Sequence, residues 1–218
     1  MTRKFLSEVL GTFGLVFTGC GAIVVDDVTG GAVGHLGICT VFGLVVMAMV
    51  YSFGDVSGAH INPAVTIAFW LSGRFPVKEV GPYIVAQMIG STAACALLWY
   101  LFPDEGTYLG ATLVSRTIMQ SFVLEVALTF LLMLIIIMVA TGSKEVGTLA
   151  GIAIGAAVAV LALMGGPISG ASMNPARSLG PALVSGNLEH IWLYMVAPII
   201  GAALAVPVSN VIKGPQTI

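Results

Sequence analysis

Six apolar segments along this chain, at about 5–25, 36–53, 79–102, 118–140, 147–164 and 190–212, hold about 18–24 residues each. A bilayer crossing needs roughly 20. Two further apolar segments, at about 63–72 and 175–185, are too short to cross. Ten helical residues span roughly 15 Å, half of a hydrocarbon core of about 30 Å. The pattern predicts an all-α membrane protein with six spanning helices and two half-helices.

The two short segments begin alike. Ser57-Gly58-Ala59-His60-Ile61-Asn62-Pro63-Ala64 precedes the first and Ser169-Gly170-Ala171-Ser172-Met173-Asn174-Pro175-Ala176 precedes the second, a shared S-G-A-x-x-N-P-A. Asn suits a helix N-cap, and Pro suits the first helical position because its missing N–H costs nothing there. The likeness extends further. Glu8, Thr12, Phe13 and Leu15 recur as Glu125, Thr129, Phe130 and Leu132. The offset is 125 − 8 = 117 there and 174 − 62 = 112 at the asparagines. The chain therefore reads as one domain, 1–218, of two repeats at about 1–102 and 118–218. Each repeat has three spans, an odd number, so the second enters from the opposite face. Inverted repeats place the two Asn-Pro-Ala segments nose to nose near the midplane.

Charge sets the expected orientation. With the N-terminus inside, the inner segments hold Arg3, Lys4, Arg74, Lys78, Lys144 and Lys213, whereas the outer loops hold Asp26, Asp27, Asp104, Glu105 and Glu189, with Arg116 before the fourth span. The basic bias places both termini in the cytoplasm, and the expected location is the cell (inner) membrane. Composition agrees: the chain is 58% hydrophobic and 8% charged, against about 25% charged in a soluble domain. A net charge of -2 offers no basic face for nucleic acid. Cys20, Cys39 and Cys95 lie in apolar runs without metal-ligand spacing and read as small buried hydrophobes. No metal or cofactor is expected. Arg3-Lys4 and the run ending at Cys20 resemble a lipoprotein signal. Glu8 interrupts that run, and the apolar stretch continues to Val25, so it is retained as a span.

The chemistry centres on the repeated motif. A helix N-terminus carries unsatisfied N–H groups and about half a positive charge. Two facing N-termini make a positive zone that repels cations, and the amides of Asn62 and Asn174 can donate to a passing oxygen. The loops before them are irregular backbone at membrane depth, tolerated only where protein or water satisfies it. The carbonyls of Gly58, Ala59 and His60, and of Gly170, Ala171 and Ser172, are candidates for a ladder of acceptors. His60 has two readings, a titrating gate or a structural histidine, the second favoured. Glu8 and Glu125 are intramembrane acids. Their symmetric placement favours bracing of the loop N–H groups over a proton relay. Arg177, directly after the second Asn-Pro-Ala, is a fixed cation expected to line water.

Taken together, the two Asn-Pro-Ala segments, the following Arg177, the paired glutamates and the order of spans resemble the aquaporin, or major intrinsic protein, family. The likeness covers nearly the whole chain. The run Gly166 to Ala182 is similar to the second loop of the nodulin-like branch and its prokaryotic relatives. The resemblance implies a homotetramer in the lipid bilayer with one pore per subunit. It also implies a four-residue selectivity filter, placed by gap-free counting at Phe42, Ala162, Ala171 and Arg177. Strict water channels of the family usually carry His where this chain has Ala162, which implies a wider, less polar opening. Ser178 and Ala182 stand where glycerol facilitators carry Asp and Lys, as in water channels. Tyr194-Met195 departs from the aromatic-Trp pair that water channels tend to have.

The expected function is a passive channel for water and small uncharged solutes such as glycerol and metalloid acids, excluding protons and ions. A strict water channel is the alternative. An ion-coupled transporter is the rival from another class, since inverted repeats, broken helices and buried acids suit it too. An intramembrane enzyme built on His60 lacks a nucleophile–base pair or metal-ligand spacing.

Overall fold

A computed structural model describes residues 1–103, 107–140, 142–143 and 147–213. Eight helices are formed by the described residues: α1 (Thr2–Thr29), α2 (Gly34–Ser57), α3 (Pro63–Leu71), α4 (Val77–Leu101), α5 (Ile118–Ala140), α6 (Ala150–Ser169), α7 (Pro175–Ser185) and α8 (Ile191–Lys213). Six are long and apolar enough to cross a membrane; α3 and α7 are the short pair. Asp104, Glu105 and Lys144, used above for orientation, lie outside the described residues.

Several helices run past the expected ends. The sequence pattern stops α2 near 53 and α6 near 164, yet they continue to Ser57 and Ser169. Their termination signal is the same: Gly58 (φ 85°) and Gly170 (φ 79°) adopt the left-handed conformation and return their N–H groups to Gly54 and Gly166. Glycine takes that conformation without Cβ strain, so a helix continues until it meets one so placed. The Gly165-Gly166-Pro167 run looks like a breaker but is absorbed into α6.

The solvent preference of the surface is inverted. Large apolar side chains such as Leu10, Leu44, Val85, Met119, Val123 and Val160 are exposed, whereas Glu8, Gln87, Ser91, Glu125 and Ser169 have no accessible surface. Lipid in place of water reverses the usual sorting, and the chain is a multi-pass membrane protein.

Close helix approach supplies the packing. Helix α1 packs on α4 and α2, α5 on α8 and α6, and α2 meets α6 across the two halves. A Cβ at Gly90 would collide with the Val9 carbonyl of α1, and one at Gly201 with the Val126 carbonyl of α5. These are matching places in the two repeats. At the crossing of α2 and α6, Gly43 and Gly155 each face the other's carbonyl. Small residues at such seams let backbones touch where no hydrophobic drive exists between helices.

Candidate functional site: a pore built on two opposed half-helices

Asn62 and Asn174 cap α3 and α7. The side-chain oxygen of Asn62 accepts from the Ala64 N–H at 2.9 Å, and that of Asn174 from Ala176 at 3.0 Å and Arg177 at 3.3 Å. Capping leaves each amide NH₂ to donate. Asn62 Nδ2 donates to the Met173 carbonyl at 2.8 Å, and Asn174 Nδ2 donates to the Ile61 carbonyl at 2.9 Å. The N-termini of α3 and α7 are thus laced together, each cap bonded to the other loop. The second hydrogen of each NH₂ remains, and both residues line the same cavity.

The loops entering these caps carry paired strain. Ala59 (φ 46°) and Ile61 (φ 43°) in one, and Ala171 (φ 43°) and Met173 (φ 52°) in the other, hold positive φ without being glycine. Such conformations persist only where the surroundings over-determine them. Here the buried carboxylates do so. Glu8 accepts from Ser57 Oγ (2.7 Å), His60 N (2.9 Å), Ile61 N (2.7 Å) and Gln87 Nε2 (2.7 Å). Glu125 accepts from Ser169 Oγ (2.7 Å), Ser172 N (2.8 Å) and Met173 N (2.9 Å). The His60, Ile61, Ser172 and Met173 N–H groups are thereby turned to the acid. Gly58, Ala59 and His60, and Gly170, Ala171 and Ser172, all contribute to the cavity wall.

His60 is packed against Phe69, Phe75 and Tyr83, with ring centroids 4.9, 4.7 and 5.1 Å away. Its Nδ1 lies 3.1 Å from Thr66 Oγ1. Thr66 gives its one hydrogen to the Asn62 carbonyl. The imidazole is therefore the donor at Nδ1. In the second loop, Ser172 and Ser178 occupy the matching places, and Thr112 donates to Ser178 at 2.8 Å. A stacked imidazole in one repeat is replaced by a hydroxyl chain in the other.

Arg177 lies one turn into α7 and is 4% exposed. Its Nη1 donates to the Gly110 carbonyl at 2.7 Å, and its Cζ stands 5.1 Å from the Phe42 ring centroid, within cation–π range. Gly110 (φ 69°) is pressed against the Cys20 backbone, with no room for a Cβ. Phe42 from α2, Ala162 from α6, Ala171 from the second loop and Arg177 from α7 all line the cavity. That cavity, about 1210 Å³, continues past both asparagines to Tyr51, Asp55 and Arg74 at its other end. Cys39 also lines it, and all three cysteines are free and buried.

Sequence reasoning missed several members. Ile61 and Met173, two variable positions of the repeated motif, supply the carbonyls that accept from the opposite asparagines. Tyr83 and Tyr194 each donate to the carbonyl of the motif serine, Ser57 and Ser169, at 2.8 Å. Their separation, 194 − 83 = 111, nearly matches that of the asparagines and was the available signal. Gly110 and Gln87 carry no such mark.

Two laced half-helices and one continuous cavity lined by both define a membrane channel. The comparisons agree. The family model described as major intrinsic protein matches residues 1–208. The chain is 46% identical over 211 residues to aquaporin NIP1-1 of Zea mays, covering 97% of this chain and 75% of that one. It is 44% identical to nodulin-26 of Glycine max, over 97% and 78%. The crystal structure of the aquaglyceroporin from Plasmodium falciparum superposes with a TM-score of 0.86 at 27% identity, over 97% and 96%. The chain belongs to the major intrinsic protein family, whose members are channels and not enzymes. Channels of this family carry water and small neutral solutes through a membrane.

Proposed function

We propose that the solute range reaches beyond water to glycerol and uncharged metalloid acids such as arsenous, boric and silicic acid, with protons and ions excluded. The observation that carries this reading is Ala162. It lines the cavity together with Phe42, Ala171 and Arg177, and a methyl group there leaves room that a larger polar side chain would fill. Arg177 supplies a fixed cation and a hydrogen-bond donor at this selectivity filter. The loop carbonyls accept from a solute hydroxyl, and Asn62 with Asn174 donate to its oxygen. The facing N-termini of α3 and α7 repel cations at the centre. Glu8 and Glu125, each fully engaged with loop donors, serve as braces, and His60 is structural. The single domain consists of two inverted repeats and assembles as a homotetramer with both termini cytoplasmic, in the cell membrane.

Stopped-flow light scattering on proteoliposomes, comparing water, glycerol and arsenous acid, tests the reading. The parent conducts all three. Ala162→His lowers glycerol permeability by about tenfold or more, a barrier rise of about 1.4 kcal/mol, and spares water. A parent that conducts water alone is a strict water channel, and the wide-filter reading fails. Accumulation of solute against its gradient, driven by protons or sodium, overturns the passive mechanism.

A further inference from the structure

Helix α6 contains Pro167. A proline has no N–H, so the carbonyl four residues earlier loses its helical donor. That carbonyl belongs to Leu163, next in sequence to Ala162. It is met from another helix: Nε2 of His35, near the start of α2, lies 2.9 Å from the Leu163 oxygen. A carbonyl only accepts, so the imidazole carries its hydrogen on Nε2. The Cys39 thiol stands 3.7 Å from both ring nitrogens and packs against the imidazole. The ring is thus oriented by its bond to Leu163 and held in place by the Cys39 contact. Space for it comes from Gly166: a Cβ there would lie 2.6 Å from His35 Cε1. Glycine admits the imidazole, and the adjoining proline leaves the acceptor it fills.

We propose that His35 is a positioning residue for solute selection. It ties the outer part of α6, which carries Ala162, to α2, which carries Phe42, and so fixes the spacing of two walls of the cavity. This inference rests on the filter reading above. The bond replaces a missing helical one at a level where His35 also lines the cavity, so its loss leaves Leu163 without that side-chain donor and α6 without this hydrogen bond to α2. The wall opposite Phe42 is then free to move outward, which benefits a wide solute more than water.

The test is the ratio of glycerol to water permeability in proteoliposomes, with protein amount and tetramer content matched. His35→Leu fills the space but cannot donate, and raises the ratio roughly threefold or more, the scale of one hydrogen bond. His35→Gln, whose Nε2 reaches a similar position, returns the ratio to the parental value. Pro167→Ala supplies Leu163 with a helical N–H, so in that background His35→Leu changes the ratio little. A ratio unmoved by His35→Leu, a failure of Gln to rescue, or an equal effect with and without Pro167 overturns the proposal. The filter reading has its own readout, because Ala162→His blocks glycerol whether or not His35 matters.

Discussion

Replacing Glu8 separates a brace from a proton relay, and the size of the effect follows from its bonds. One carboxylate oxygen accepts from Ser57 Oγ and His60 N, the other from Ile61 N and Gln87 Nε2. Glu8→Gln keeps one acceptor and turns an NH₂ toward the other pair. Gln87 can adapt by turning its own amide, whose Oε1 has no partner among the described residues, but only by giving up the bond from its Nε2 to Thr66 Oγ1. The Ile61 N–H cannot adapt. A buried donor left unsatisfied costs about 1–3 kcal/mol, and melting shifts by about 2–4 °C per kcal/mol for a chain of this size. Glu8→Gln should therefore melt about 2–12 °C lower in detergent. Glu8→Ala strips both backbone donors, doubling the cost, and frees Ala59 and Ile61 to leave positive φ, each strained by about 1–3 kcal/mol. The Ile61 carbonyl then loses its aim at Asn174, and water permeability should collapse. The assay pairs thermal melting with osmotic water flux on the same preparations. If Glu8→Ala melts within about 2 °C of the parent and conducts water at the parental rate, the carboxylate does not hold the loop. Parental water flux with loss of a proton-coupled solute flux would instead favour the relay.

Two further outcomes follow from the packing and charge described above. Arg177→Leu removes the cation beside Phe42 and should raise proton leak, read as dissipation of a pH gradient in proteoliposomes, by on the order of tenfold, about 1.4 kcal/mol of barrier. Gly155→Val drives side-chain atoms into the Gly43 carbonyl across the α2–α6 seam; the expected cost is about 1–3 kcal/mol, measured as a lower melting point and lower yield of folded protein.

The linear chain by itself determined what local physics decides. Six spans and two half-spans follow from the length of apolar runs against the thickness of a bilayer. Asn62-Pro63 and Asn174-Pro175 announce helix starts, and the caps fall on those asparagines. The repeat points to Glu8 and Glu125 as partners in their own halves, since unpaired acids at membrane depth demand partners. Helix ends were less legible, because they depend on which glycine adopts positive φ; Gly58 and Gly170 do, whereas Gly54 and Gly166 stay helical. Only the tertiary structure decided what meets across the chain. Arg177 finds Gly110, Asn62 finds Met173 and His35 finds Leu163, over separations of 67, 111 and 128 residues. Capping, turn and hydropathy signals act over a few residues. Contacts at those separations depend on how whole helices tilt and seat against one another, and the cavity wall is made of such contacts.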